Sequence, residues 1–346
     1  MMVAVPSSLA NGLRRLAGSS MVRPVARLCA GRGSCLMYHR VGPDQPAAPG
    51  FSPNRELTVT EEVFDEHIRY LARNHPCLTL DEALAGLRSR RLPRGSVVVT
   101  FDDGYRDNLT RALPILRRHG VPATVYVTTG FIDGSASPWW YELEWLLARY
   151  GQDRIELPGM TLELTDAGSL GRAYANLALR MKMLDPAGQQ ELLAALRRGV
   201  GPAFSFRGMM LDRDQLETLA ADPLITIGAH TLTHPVLSRL RPAVLARELV
   251  QSRDRLAGWI GRPVRHFSYP FGGFDHAGPR EFAAAEAAGY ESALTTRCGH
   301  LHDFHGSAIH ALPRLAVGYN DRAGQLAFKT AGVEALLRRP ASRFRV

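Results

Sequence analysis

Apolar and polar positions follow two rhythms along this chain. Short runs rich in Val, Ile, Tyr and Phe, bounded by Gly or Pro, recur between longer stretches whose apolar residues return every three or four positions. The short runs predict strands at Ser34–Val41, Gly95–Phe101, Ala123–Thr128, Leu224–Ile227, His266–Tyr269, Ser292–Thr296 and Leu312–Val317. The longer ones predict helices at Thr60–Asn74, Leu80–Leu87, Asp107–His119, Ala243–Trp259, Arg280–Ala288 and Ala323–Leu337. Thr60 followed by Glu61 and Glu62 is a helix start, and Gly120 a helix stop.

Strands alternating with helices imply parallel βαβ units. Six or seven such units in one chain predict an α/β fold, a (β/α) barrel, with an open doubly wound sheet as the alternative. Residues 131–215 break the rhythm. They hold SPWWYELEWLLARY and further helical spacing, with no clear strand before Leu224. We read them as a helical insertion between two barrel units. Trp139, Trp140 and Tyr141 open it, and they read better as anchors that pack it onto its host than as a stacking surface for sugar rings. The segment Gly42–Pro53 reads as a long surface loop. The expected organisation is a basic amphipathic segment (1–34), a barrel (35–322) and a C-terminal helix with a basic tail (323–346).

Composition narrows the class. With 45% hydrophobic and 22% charged residues among 346, the chain can bury a core, which excludes wholesale disorder. The four cysteines show no paired metal spacing. The net charge of +9 sits at the ends: of 42 basic residues, ten are arginines before Asp44 or within the last twelve positions. The remaining 32 face 33 acidic residues, so the body is near neutral and no nucleic-acid partner is expected. Near the N-terminus, Leu9, Leu13, Leu16 and Ala17 share a helical face beside Arg14 and Arg15. Arginines interrupt every candidate signal core, so a cytoplasmic location is expected, with peripheral membrane contact through this segment as one reading and a solvated basic end as the other.

Three local features carry chemistry. Thr100-Phe101-Asp102-Asp103-Gly104 ends an apolar strand with two carboxylates and a glycine turn. Like charges that close disfavour each other's ionised form, and a bound cation resolves the conflict, leaving the second carboxylate free as a base. A plain surface turn is the bland alternative. His230-Thr231-Leu232-Thr233-His234 follows a second strand and supplies two imidazoles at chelating spacing. Both features follow parallel strands, so they share the face where barrel enzymes place catalytic groups. One Asp and two His leave a metal site open to water, the arrangement of a catalytic zinc. The third feature, Arg265-His-Phe-Ser-Tyr-Pro-Phe-Gly-Gly273, is an aromatic strand running into a tight turn.

TFDDGY, HTLTH and FSYPFG, in that order, resemble the polysaccharide deacetylases, a family that includes nodulation-type chitooligosaccharide, peptidoglycan and poly-N-acetylglucosamine deacetylases. The resemblance covers roughly Cys35 to Val317 apart from the insertion. It implies a distorted (β/α) barrel of about seven strands and a metal-dependent hydrolase that removes N-acetyl groups from a glycan, oligosaccharide or lipid-linked sugar. Asp102 would be the general base. Asp103, His230 and His234 would bind a divalent metal, zinc first. The backbone N–H of Tyr269 would serve the oxyanion hole. The family's closing Leu-x-x-His motif is absent; His300, His302, His305 and His310 lie near the last strand, and we take His310 as the candidate acid. His39, Tyr105, Arg265 and Arg314 are the candidate substrate contacts. For His39 the alternative is a hydrogen-bonded inner residue, and for Arg314 it is orienting the base. Two rival readings are a same-fold hydrolase of a non-glycan amide and a catalytically silent glycan-binding module.

Overall fold

The computed structural model describes residues 31–43, 48–150, 153–198, 200 and 204–332. Expectations for the N-terminal segment, and the membrane contact and compartment drawn from it, lie outside these residues, as does the basic tail. Among the described residues no helix is long and apolar enough to cross a membrane.

Seven parallel strands close into a barrel: β1 (Gly33–Tyr38), β2 (Ser96–Phe101), β3 (Ala123–Val127), β4 (Ile225–Ala229), β5 (His266–Ser268), β6 (Ser292–Cys298) and β7 (Leu312–Ala316). Each strand pairs with its neighbour in sequence, and β1 closes the ring against β7. All six residues of β1 and of β2 are buried, as strands covered on both faces require. Alternation along β2 sorts its side chains. Val97, Val99 and Phe101 join the core between barrel and helices, whereas Val98 joins Cys35, Tyr126, Leu294 and Leu312 in a second cluster. Thr100 and Asp102 keep step with Val98, so the period of two aims Asp102 along the barrel's inner face.

Helices Glu61–Asn74, Leu80–Arg88, Pro242–Ile260 and Pro279–Ala287 lie close to where the apolar spacing predicts. Thr60 Oγ1 accepts the Val63 N–H as the N-cap, and Gly120 ends its helix at φ +66°. The C-terminal helix is described over Ala323–Thr330.

The insertion differs from expectation in one respect. Besides helices Trp139–Arg149, Ala167–Met183 and Pro186–Arg197, it holds an antiparallel hairpin, Arg154–Leu157 with Met160–Glu163. Each hairpin strand has four residues and buries one, Ile155 and Leu162, too short an alternation to register as a strand. Trp139 and Trp140 are buried with Phe51, Tyr105 and Phe131 in a core that joins insertion to barrel. Phe51 belongs to the segment read as surface loop; its ring is 2% exposed and anchors that segment.

Candidate active site

The carboxyl-terminal ends of β2, β4 and β5 bring the three sequence features together. Asp103 Oδ1 stands 3.4 Å from His230 Nε2 and 3.3 Å from His234 Nε2. All three residues are buried, and one ligand atom from each lies within 4.8 Å of the others. Ligands ~2.1 Å from a tetrahedral ion stand about 3.4 Å apart, so this spacing suits a divalent metal. Asp103 Oδ1 is buried without a hydrogen-bond partner in the protein. An orphaned buried carboxylate oxygen is costly, and a cation would satisfy it. Burial alone would raise the Asp103 carboxyl, but His230 and His234 outweigh it and hold the group well below the usual carboxylate range.

The supporting shell fixes each ring. His230 Nδ1 meets the Ser268 carbonyl at 2.7 Å, which turns Nε2 toward Asp103. The His230–His234 loop is held by Glu248, a carboxylate from helix Pro242–Ile260. It accepts the N–H groups of Leu232 and Thr233 at 2.9 and 3.0 Å and the Thr233 hydroxyl at 2.9 Å. Burial pushes the Glu248 carboxyl upward. The His234 ring is walled by Trp140, with centroids 4.9 Å apart, and by Phe271 at 4.8 Å. Lys182 Nζ, from the insertion, sits 4.7 Å from the Phe271 ring centroid.

Backbone strain gathers here. Among the described residues five non-glycines take positive φ, and four are Asp103, Thr231, His234 and Phe271. Each such residue costs of order 1–3 kcal/mol, which persists only where the surroundings demand the conformation.

Asp102 is buried beside Asp103 and bound by Arg314 of β7. Arg314 Nη1 donates to Asp102 Oδ1 at 2.7 Å and Nη2 to Oδ2 at 2.6 Å. Its other donors reach the Thr295 carbonyl, Thr100 Oγ1 and Ser268 Oγ at 2.9, 3.2 and 2.8 Å. Burial would raise the Asp102 carboxyl, and Arg314 reverses this, so the group is held below its ordinary value.

Several sequence expectations are corrected by position. Arg314 is fully buried and its five N–H donors are all taken, so of its two sequence readings the geometry fits orienting Asp102 and not contacting substrate. The Tyr269 N–H donates to the Leu294 carbonyl at 3.0 Å within the β5–β6 ladder, which removes it as an oxyanion donor. His310 and Arg265 precede β7 and β5, which places them at the opposite end of the barrel. There His310 Nε2 meets the Tyr290 carbonyl and Arg265 pairs with Asp81. His300, His302 and His305 also lie toward that end, where His300 contacts Ser34 at the start of β1. Tyr105 is fully buried, its hydroxyl accepting the Trp140 indole N–H at 3.2 Å, so it braces the insertion rather than meeting substrate. His39, just past β1, does lie near the site. Burial lowers its pKa, against the opposing pull of Asp103 and Asp102.

The family model for polysaccharide deacetylases matches residues 89–293. The chain belongs to the polysaccharide deacetylase family. It is 34% identical over 94 residues to the YxkH protein of Bacillus subtilis, which is 27% of this chain and 30% of that one. It is 30% identical over 107 residues to a poly-beta-1,6-N-acetyl-D-glucosamine N-deacetylase of Staphylococcus epidermidis, 29% of this chain and 37% of that one. The chain thus spans about a third of the length of the curated relatives it matches. The deacetylase barrel is shared with solved structures. The Streptococcus pyogenes deacetylase PplD in complex with acetate superposes with a TM-score of 0.58 at 18% identity, over 86% of this chain and 97% of that one. IcaB from Ammonifex degensii gives 0.56 at 19% identity, over 87% and 97%.

Phe271 and Glu248 are the site residues that sequence reasoning passed over. Glu248 had a signal, since a carboxylate among Leu245, Leu249 and Leu256 falls on a helix's buried face. Phe271 had none, because its left-handed φ follows from the folded turn.

Proposed function

We propose that this protein is a metal-dependent hydrolase that removes an N-acetyl group from a sugar substrate. The observation that carries the reading is the orphaned Asp103 Oδ1 facing two imidazole Nε2 atoms, with a second, ionised carboxylate next to it. A binding module has no use for that second carboxylate, held in place by Arg314.

Asp103, His230 and His234 would hold the metal, zinc by the tetrahedral spacing and the N/O donor set. Such an ion, when bound, supplies Lewis-acid polarisation of the acyl carbonyl and acidifies water. Asp102 is the base. Its Oδ1 accepts one hydrogen bond, from Arg314, and keeps a lone pair for a proton from the attacking water. Arg314 and Ser268 fix the plane of that carboxylate. The proton that Asp102 takes from water is the one the departing amine needs, and His39, the imidazole beside both carboxylates, is placed to relay it. With the Tyr269 N–H committed to the sheet and Pro270 lacking one, the first backbone donor of the turn is Phe271 N–H, which we assign to the developing oxyanion.

The test is acetate release from N-acetylglucosamine oligomers by the full chain, metal-stripped and then zinc-restored. Zinc-dependent acetate is expected. Stoichiometric zinc with no acetate from any N-acetylated sugar contradicts the reading.

A further inference from the structure

Beside the candidate site, a cleft of about 350 Å³ opens between the barrel and the insertion, and none of the steps above uses it. Arg40 from just past β1 and Arg106 and Arg111 from just past β2 line it, and Met209 of the insertion forms part of its wall. The Arg106 N–H donates to the Met209 carbonyl at 2.8 Å, which ties the two walls together.

The lining is cationic. Its single carboxylate, Asp107, is already engaged: Oδ2 accepts Arg40 Nε at 2.9 Å and Oδ1 the Val41 N–H at 3.1 Å. Arg111 is paired with Glu61 through one nitrogen. The Arg106 side chain is exposed to the cleft and solvent. Arg40 is held between the rings of Tyr105 and Tyr141, its guanidinium carbon 5.3 and 5.5 Å from their centroids, which fixes its direction. Local excess positive charge stands out against a body whose basic and acidic residues nearly balance.

The cleft and the site share their scaffolding. His39 and Arg40 are adjacent, the first beside Asp102 and Asp103, the second in the cleft, and the His39 carbonyl is pinned by Asn108 Nδ2 at 2.9 Å. Arg106 is three residues beyond Asp103, a chain reach of at most about 11 Å. Arg106 is therefore within one or two sugar units of the site, near enough for one substrate to reach both.

Planar guanidinium forks suit phosphate and carboxylate oxygens. We propose that this cleft binds an anionic group, phosphoryl or carboxylate, carried by the substrate, so that the protein acts on an acidic N-acylated sugar. The proposal rests on the hydrolase reading above for its choice of substrate.

Methyl phosphate and glucuronate, titrated into the full chain, test it by calorimetry. The variants are Arg106→Gln, Arg106→Gln with Arg111→Gln, and a control, Arg154→Gln with Arg213→Gln, that removes equal charge elsewhere. At least one probe is expected to bind about tenfold more weakly to Arg106→Gln than to wild type, and more weakly still to the cleft double variant, with the control unchanged. Which probe responds tells a phosphorylated substrate from a uronic acid. Equal affinities in wild type and Arg106→Gln, or an equal loss in the control, overturn the proposal. Binding needs no turnover, so Arg106-dependent anion binding without acetate release leaves the cleft standing and removes the hydrolase. Acetate release without such binding removes the cleft alone.

Discussion

Replacing Arg314 with Met isolates what the guanidinium does for the barrel. The wild-type side chain is fully buried and makes two charge-assisted bonds to Asp102 at 2.7 and 2.6 Å. Methionine keeps the apolar stem and removes every donor. Asp102 is then a buried carboxylate whose only remaining donor among the described residues is Ser268 Oγ, at 3.4 Å. Removing one partner of a buried pair costs about 3–5 kcal/mol, because the other charge is left uncompensated. Against a total stability of roughly 5–15 kcal/mol this is a large fraction. Urea unfolding at pH 7 is expected to show that loss, with a thermal midpoint lower by roughly 4–8 °C for a chain of this length. Removing both charges, in Arg314→Met with Asp102→Leu, is expected to recover about 2 kcal/mol or more, since no charge then remains buried alone. An Arg314→Met variant within about 1 kcal/mol of wild type refutes the reasoning.

Three further outcomes follow from the same geometry. Alanine at Asp103, His230 or His234 should each abolish stoichiometric zinc binding by dialysis and metal analysis, whereas Tyr105→Phe, which keeps the buried ring, should retain it. Trp140→Ala, which empties space beside His234 and in the joint between insertion and barrel, should cost about 3–5 kcal/mol and speed proteolysis within the insertion; an unchanged cleavage rate contradicts that joint. Burial lowers His67, His300 and His305 to about 4 each. The unfolded chain therefore protonates first, so this stability is complete above pH ~6.5 and is lost as pH falls toward ~4, on the order of 3 kcal/mol per histidine. His67→Gln should make the unfolding free energy less steep in that window, and an identical slope counts against a neutral buried His67.

The barrel was legible because its strands are buried on both faces and so appear as unbroken apolar runs, as in VVVTF of β2. The Asp102-Asp103 turn and the His230–His234 pair were legible because each is local in sequence. What was left open, as for Arg314, or missed depends on contacts between distant segments. Arg314 meets Asp102 across 212 positions, and only the ring closure of β7 on β1 shows that it faces inward. The Tyr269 N–H is lost to a register between β5 and β6 that no spacing encodes. The expectations for His310 and Arg265 could have been corrected from the sequence alone. Both precede their strands, and in a parallel barrel such residues land on the face opposite the catalytic one. The hairpin at 154–163 was hidden by its brevity, with one buried side chain per strand.

In the proposed hydrolase Asp102 performs the chemistry while Asp103, His230 and His234 hold the metal. The most direct measurement is acetate release by wild type and Asp102→Asn, with zinc content determined on the same samples. Full zinc is expected in both proteins, and acetate from wild type only. Acetate released at the wild-type rate by Asp102→Asn would contradict that role for Asp102.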